Sequence, residues 1–178
     1  MLRIFSHSYR KVLQVQKQFE QHVHVKIGNK GKILEIEGKP EDEYIAEKII
    51  HALDFGFPVK VAMLLAEEDY LFDIVKIKAL ARSHNRERIR ARIIGTHGKT
   101  LKNLSTVSNC FFELKDNEVG IIGNAEHISY GRQAIESLIK GAKQANVYSY
   151  LEKHHPKKVI DLGLKEPKKK KKATNEKI

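Results

Sequence analysis

Apolar residues in the first third of the chain change from helical to strand-like spacing and back again. Residues 9–20 carry apolar side chains at helical intervals with charges between them. Residues 22–27 (HVHVKI) and 32–38 (KILEIEG) alternate between polar and apolar positions on either side of a GNKG turn. A helical pattern then runs from Pro40 to Gly56, which supply start and stop signals. These spacings predict the order helix, β-hairpin, helix.

The same order returns in the second half of the chain. Residues 99–109 have helical spacing, and residues 110–123 predict a hairpin that turns at Asp116-Asn117. Residues 124–142 predict a long helix that closes this second set of elements.

Four further segments complete the predicted elements. Residues 58–69 begin with a proline and predict a short helix, whereas residues 70–80 are β-rich and apolar. Residues 81–94 are strongly basic and predict a helix in their second half. Residues 145–155 predict an additional helix after the second set.

The two halves of the chain align at an offset of 85 residues. The aligned segments are 37–56 (EGKPEDEYIAEKIIHALDFG) and 122–141 (IGNAEHISYGRQAIESLIKG). The shared order of elements makes an internal duplication the better interpretation of this match. The identical pairs are Gly38/Gly123, Glu41/Glu126, Ile50/Ile135, Leu53/Leu138 and Gly56/Gly141.

Upstream of the hairpins we align the copies at an offset of about 89, which pairs Val12 and Val15 with Leu101 and Leu104. The second copy then has the order β-α-α-β-β-α, with a glycine turn between its first two helices. In the first copy this turn falls at residues 6–9 (SHSY), which contain no glycine, and the first strand is absent. We therefore predict that the first copy is a degenerate unit used for packing or protein contact.

The chain carries an excess of positive charge. Its formal net charge is +11 and its sequence pI is about 9.6. The segment from Lys165 to Ile178 contributes +5 through seven Lys and two Glu, so +6 remains on residues 1–164. A basic body of this size favours a polyanionic partner such as RNA or DNA.

The sequence argues against several other classes of protein. Cys110 is the only cysteine, so an internal disulfide and a cysteine-based zinc site are excluded, and we expect it to be a small buried hydrophobe. The sequence has no apolar run of about 18 residues, and we expect a soluble, intracellular protein that does not contact membranes. It offers no nucleophile–base pair, so we expect no enzyme activity, no metal and no cofactor.

The segment RIIGTHGKTLKNL, residues 92–104, contains the most informative motif. A phosphate-binding P-loop would need a glycine five positions before Gly98, where the chain has Ile93. A dinucleotide-binding turn would need a third glycine, which is also missing. A Gly-x-x-Gly loop between two helices instead resembles the KH module, which clamps the backbone of about four single-stranded nucleotides.

The residues around the loop suit that chemistry. Glycines at 95 and 98 let phosphates approach the backbone, and a helix starting at Lys99 directs its N-terminal N–H groups to the same place. Lysines and arginines near the loop add positive charge, and aliphatic side chains supply an apolar floor for bases. The candidate RNA-binding residues are Gly95, Thr96, His97, Gly98, Lys99, Lys102, Ile93, Ile94, Leu101, Arg88, Arg90 and Arg92.

Residues 92–109, 118–142 and 147–157 together resemble the archaeal tandem-KH rRNA-processing proteins, which are related to the eukaryotic partner-of-Nob and Krr-type assembly factors. The resemblance covers about residues 1–157. It implies an α+β fold of two tandem type I KH-like units, the first degenerate and without its first strand. It also implies a non-catalytic protein that binds single-stranded rRNA near the 3′ end of the small-subunit rRNA, and contacts with other assembly or initiation factors.

The predicted organisation has four parts. Residues 1–57 form the degenerate unit, 58–69 a connecting helix, 70–156 the KH domain with an extra helix, and 157–178 a disordered lysine-rich tail. The expected location is cytoplasmic for an archaeal protein and nucleolar for a eukaryotic one. A protein-interaction scaffold with incidental RNA affinity remains the alternative function, and the sequence leaves the oligomeric state open.

Overall fold

The computed structural model describes residues 1–81 and 85–154. The predicted disordered tail at residues 157–178 lies outside the described residues. Within them, no helix is both long and apolar enough to cross a membrane.

The first unit has the element order β-α-α-β-β-α. Its three strands form an antiparallel sheet in the order β1-β3-β2. Its elements are β1 (Leu2–Phe5), α1 (Tyr9–Gln14), α2 (Gln16–His22), β2 (Lys26–Lys30), β3 (Ile33–Glu37) and α3 (Pro40–Phe55).

The second unit repeats this order, with a short additional helix after its first strand and another at its end. Its sheet has the corresponding strand order, β4-β6-β5, again antiparallel. A short helix, α4 (Val59–Ala62), and a 3-10 turn at Met63–Ala66 join the units. The further elements are β4 (Tyr70–Lys76), α5 (Ile77–Leu80), α6 (Arg86–Ile94), α7 (Lys99–Ser108), β5 (Cys110–Lys115), β6 (Glu118–Asn124), α8 (Ala125–Ile139) and α9 (Gln144–His154).

The prediction that the first unit lacks its first strand is wrong. Residues Leu2–Phe5 form β1, which pairs with β3 from Leu2 opposite Ile36 to Phe5 opposite Ile33. The strand is only four residues long, and its exposure alternates between half-buried and exposed. So short a segment at the end of the sequence gives too few alternations to be recognised as a strand.

The position predicted for the first unit's helix–helix turn is also wrong. Residues 6–8 connect β1 to α1, which begins at Tyr9, and the junction between α1 and α2 lies at Val15. Val15 joins two helices of six and seven residues directly, so no loop separates them. The first unit therefore has no counterpart of the Gly-x-x-Gly loop.

The strand predicted at residues 22–27 begins later, at Lys26. The backbone of His24 is left-handed, with φ at 58°, which turns the chain from α2 into β2. Asn109, at an offset of 85, does the same between α7 and β5, with φ at 54°. The fully buried Phe19 and Leu104 are separated by 85 residues as well. One offset of 85 thus relates the two units here, in place of the predicted 89 upstream.

The two units stack helix on sheet. Strand β6 is buried on both faces: Val119 and Ile121 contact the helices of their own unit, whereas Ile122 packs into the core of the first unit. A Cβ at Gly120 would lie 2.8 Å from the rings of both Phe55 and Phe57. This glycine therefore lets the end of the first unit pack directly onto the second sheet.

Three aromatic rings fill the contact between the units. Phe55, Phe57 and Phe72 lie with ring centroids 5.9–6.0 Å apart, two of the pairs edge to face. At the positions 85 residues before Gly120 and Ile122, the first sheet carries Glu35 and Glu37. The outer face of the first sheet is therefore charged where the second is apolar.

Cys110 is buried, in agreement with the sequence prediction. Burial raises the pKa of its thiol to about 11, which keeps it protonated at neutral pH. A Cβ at Gly123 would lie 2.6 Å from its sulfur, so the thiol packs closely against strand β6.

Candidate nucleic-acid interface

The Gly-x-x-Gly loop begins where α6 ends. The Gly95 N–H donates to the Ala91 carbonyl at 2.8 Å, and Gly95 then adopts φ 74° and ψ 177°. This region of backbone conformation is essentially restricted to glycine. A Cβ at Gly95 would also lie 2.0 Å from the Thr100 hydroxyl oxygen. Gly95 is therefore required both by its conformation and by the close approach of α7.

The second glycine position of the loop motif, residue 98, favours glycine for a different reason. Gly98 adopts a left-handed conformation with φ 74° and ψ 7°, but a Cβ there would meet nothing within 4 Å. Its N–H closes the loop on the Gly95 carbonyl at 3.2 Å. The side chains of Thr96 and His97 are exposed at the tip of this loop. The open space beside Gly98 leaves the loop backbone accessible to a ligand.

Helix α7 has no side-chain cap at its N-terminus, which lies next to the loop. Its cap position is Gly98, which has no side chain to bind the first N–H groups, whereas Asn85 and Asn124 cap α6 and α8. The exposed ammonium-bearing side chains of Lys99 and Lys102 lie in its first turn. The uncapped N–H groups, the helix dipole and two lysines together favour an anion.

A cleft of about 500 Å³ separates the start of α6 from the turn of the β5–β6 hairpin. Arg86, Arg90 and Glu87 line it on the helix side, and Asn117 lines it on the hairpin side. Among the described residues, neither Arg86 nor Arg90 forms an ion pair. Their charges are therefore not neutralised within this part of the protein.

The structure separates the three predicted arginines. Arg90 is half-buried in the cleft and Arg88 is exposed on α6. Arg92 points the other way: its Nη1 lies 3.5 Å from the Leu138 carbonyl at the end of α8. Arg86 was not predicted, although it lies one helical turn before Arg90, and an i, i+4 spacing could have identified it.

The predicted apolar floor is smaller than expected. Ile93 is fully buried in the core of the second unit and cannot reach a base. Ile94 and Leu101 are half-buried beside the loop. Helical spacing identifies apolar residues that share one face of a helix. The pattern alone does not tell which of these side chains the core covers.

Residues 6–9 of the first unit are occupied by internal hydrogen bonds. Asp54 Oδ1 accepts from the hydroxyl of Ser6 at 2.8 Å and from the N–H of Ser8 at 2.7 Å. The Ser8 hydroxyl donates to the Leu53 carbonyl at 3.2 Å. Ser6 is fully buried. These serines fasten β1 to the end of α3 and are not presented to a ligand.

No metal centre is evident in the part of the chain that the structure covers, where no three His, Cys, Asp or Glu side chains are grouped to hold an ion. The features that remain are the loop, the uncapped helix and the basic cleft. They lie on one unit and share one chemistry, which is the binding of a flexible polyanion.

The comparison with protein families matches the second unit. The family model described as "Eukaryotic type KH-domain (KH-domain type I)", which represents the second KH domain of Pno1, matches residues 71–156. The KH domain-containing protein MJ0443 of Methanocaldococcus jannaschii is 29% identical over 113 residues, which are 63% of this chain and 50% of that protein. The RNA-binding protein PNO1 of Oryzias latipes is 35% identical over 107 residues, 58% of this chain and 44% of the relative.

Solved structures match more of the chain. Dim2p from Pyrococcus horikoshii superposes with a TM-score of 0.73 and 25% identity, covering 85% of this chain and 98% of that one. A chain in the crystal structure of the a/eIF2alpha–aDim2p–rRNA complex from the same organism superposes with a TM-score of 0.74 and 27% identity. The match covers 85% of this chain and 92% of that one. The matched region spans half or less of the length of the curated relatives.

Fold and loop define the second unit as a KH domain of type I, in a protein of mixed α+β fold. The second unit matches the type I KH domains, and the chain as a whole is similar to KH-domain proteins of the Pno1/Dim2 type.

Proposed function

We propose that this protein binds single-stranded RNA through the loop Gly95-Thr96-His97-Gly98. The loop and the uncapped start of α7 hold the phosphate backbone, with Lys99 and Lys102 adding charge. The observation that carries this proposal is the accessible backbone at Gly98, where the two helices of the KH unit meet. Backbone N–H groups bind phosphate whatever the base, so this contact supplies affinity and register.

Bases are held on the cleft side of the loop. Ile94 and Leu101 provide half-buried apolar contact, and the cleft beyond them leads to Arg86, Arg90 and Asn117. The two guanidinium groups can stack on bases or bind phosphates, and the Asn117 amide can read a base edge. The RNA therefore runs along α6 from the loop toward the β5–β6 turn.

The RNA in question is precursor rRNA, at the 3′ end of the small-subunit rRNA. Relatives named pre-rRNA-processing proteins and a neighbour solved together with rRNA and a/eIF2alpha support this choice. On the same grounds we propose that the chain acts without catalysis, beside other assembly or initiation factors.

The proposed organisation of the chain has four parts. They are residues 1–57 as a degenerate KH-like unit, 58–69 as a connector, 70–156 as the RNA-binding KH domain and 157–178 as a tail that adds non-specific affinity.

The proposal is tested by replacing both exposed loop residues with Asp. Thr96→Asp with His97→Asp places two carboxylates where phosphate is expected, and Asp tolerates the left-handed backbone of position 97, with φ at 52°. We expect binding of a short single-stranded RNA from the 3′ end of the small-subunit rRNA to fall about tenfold or more, which is about 1.4 kcal/mol. Fluorescence anisotropy at two salt concentrations gives the dissociation constants.

A matched control separates local repulsion from the loss of net charge. Gln14→Glu with Gln18→Glu makes the same charge change at two exposed positions of the first unit. This variant should bind RNA as the unchanged protein does. If the two double variants lose affinity equally, general basicity explains the binding and the protein-interaction scaffold becomes the better description.

We expect the two serines of the first unit to contribute to stability but not to RNA affinity. Ser6→Ala with Ser8→Ala removes the hydroxyl groups that hold Asp54 and Leu53. Because Ser6 is fully buried, we expect the free energy of unfolding to fall by about 1–3 kcal/mol with no change in RNA affinity. Denaturant unfolding and the same RNA titration measure the two quantities. A loss of affinity as large as that of the loop variant would show that the first unit also contacts RNA.

A further inference from the structure

Helix α9 lies outside the β-α-α-β-β-α order that the two units share, and it begins beside the RNA-binding loop. Its first residue is Gln144, which is half-buried. The Gln144 side-chain Nε2 donates to the Arg92 carbonyl at 3.2 Å and to the Thr100 hydroxyl at 3.0 Å. A primary amide has two N–H donors on one nitrogen, so both bonds form together.

The two acceptors lie on opposite sides of the loop. Arg92 belongs to the last turn of α6, before Gly95, and Thr100 belongs to the first turn of α7, after Gly98. One amide group therefore joins the helix that enters the loop to the helix that leaves it. The distance between these helix ends fixes the shape of the four-residue turn.

The Thr100 hydroxyl packs against the loop backbone at Gly95. Its side chain is only 5% exposed, and its oxygen would lie 2.0 Å from a Cβ at Gly95. A hydroxyl buried against the loop backbone keeps its orientation only if its hydrogen-bond partners are fixed. Gln144 supplies such a partner from a third helix.

Arg92 fastens the same corner from the other side. Its guanidinium Nη1 approaches the Leu138 carbonyl, and a Cβ at Gly141 would lie 3.4 Å from this nitrogen. The end of α8 is thus also attached to α6, six residues before Gln144. The corner is built from side chains that point away from the RNA cleft.

We propose that Gln144 is a positioning residue for the RNA-binding loop, holding α6 and α7 at the separation that the loop needs to clamp the RNA backbone. The inference rests on the proposed RNA-binding function of this loop. A loop that is already in its binding shape loses less conformational entropy when RNA binds, so affinity depends on a residue that does not touch the RNA. We call the hydrogen bonds from Gln144 of α9 to Arg92 and Thr100 the latch.

Gln144→Met in the full chain tests the latch, because Met has a similar length and no N–H donor. We expect RNA affinity to fall about fivefold or more. We also expect faster hydrogen exchange of the Gly98 N–H, which closes the loop on Gly95. The amides of strands β4, β5 and β6 should exchange as before, since the sheet does not depend on Gln144.

The chain offers a closely matched control in the same helix pair. The Gln133 side-chain oxygen accepts a hydrogen bond from the Tyr150 hydroxyl, six residues after Gln144, so Gln133→Met also removes one attachment between α8 and α9 but none to α6 or α7. This variant should bind RNA within twofold of the unchanged protein, or about 0.4 kcal/mol. Equal losses of affinity in the two Met variants would overturn the proposal, because the effect would then be a general loosening of α9.

Thr100→Val provides a second test, because it removes the hydroxyl that accepts from Gln144 and keeps the side-chain volume. If the Gln144–Thr100 bond positions the loop, the double variant should bind RNA no more weakly than the weaker single variant. Strictly additive losses would count against the proposal. Wild-type affinity for Gln144→Met, alongside weak binding by the Thr96→Asp, His97→Asp variant, would overturn the latch alone. Wild-type affinity for both would reject the RNA-binding loop itself.

Discussion

Gly95→Ala is expected to lower the free energy of unfolding by about 3 kcal/mol or more. The backbone of Gly95 lies at φ 74° and ψ 177°, where any side chain is strained. The added Cβ would also lie 2.0 Å from the buried Thr100 hydroxyl oxygen, so α7 would have to move away from α6. Both effects act at the same atom and add to each other.

Gly98→Ala is the comparison that makes this prediction specific. Gly98 shares the positive φ, but its Cβ would point into open space, so only the left-handed conformation is penalised. We expect a loss of about 1 kcal/mol. The protein has no Trp, so urea unfolding is followed by far-UV circular dichroism. Similar losses for the two variants would contradict the different roles assigned to the two glycines.

Phe57→Ala is expected to cost about 3–5 kcal/mol of unfolding free energy. Phe57 is 1% exposed and packs between the two units, with its ring centroid 6.0 Å from that of Phe55 and 5.9 Å from that of Phe72. Removing it leaves a cavity next to Gly120, which has no side chain of its own. The loss should appear as a lower denaturation midpoint for both units, because each covers the apolar surface of the other.

Phe5→Ala provides the control for this second variant. Phe5 is 56% exposed on the first sheet, so its truncation should change the unfolding free energy by less than about 1 kcal/mol. A comparable loss at both positions would mean that the contact between the units contributes little to stability.

Local signals predicted most of the second unit, although the β-rich segment predicted at residues 70–80 is a strand only to Lys76 and then forms α5. Its strands, its long helix α8 and its glycine loop all follow from regular spacing and from residues with strong conformational preferences. The hairpin turn at Asp116-Asn117 and the turn at Gly95–Gly98 were placed correctly for that reason. Local signals determine these elements, and tertiary contacts do not override them.

The first unit could be predicted less well because its features depend on tertiary contacts. Strand β1 is short and gains its place by pairing with β3, and the Ser6 turn is held by Asp54, 48 residues away. A direct helix junction at Val15 has no glycine or proline to mark it. None of these contacts leaves a periodic trace in the sequence.

The candidate site shows the same division. The loop glycines and the lysines of α7 were predicted from the motif, whereas Gln144 is brought to the loop by a helix 44 positions away from Thr100. Ile93 was predicted to touch bases and is buried, because a helical pattern gives the apolar stripe but not which part of it the core covers.

The stacking of the two units has a consequence for the size of the assembly. The end of one unit rests on the outer sheet face of the next, and this head-to-tail contact does not close on itself, so in principle it could repeat from molecule to molecule as a fibre. A charged position on the first sheet opposes that extension. Where the second sheet has Gly120, the first has Glu35, whose carboxylate is paired with Arg3 and Lys30, each at 3.1 Å. Docking another molecule there would bury these charges, so the Glu35 ion pairs disfavour a repeat of the contact.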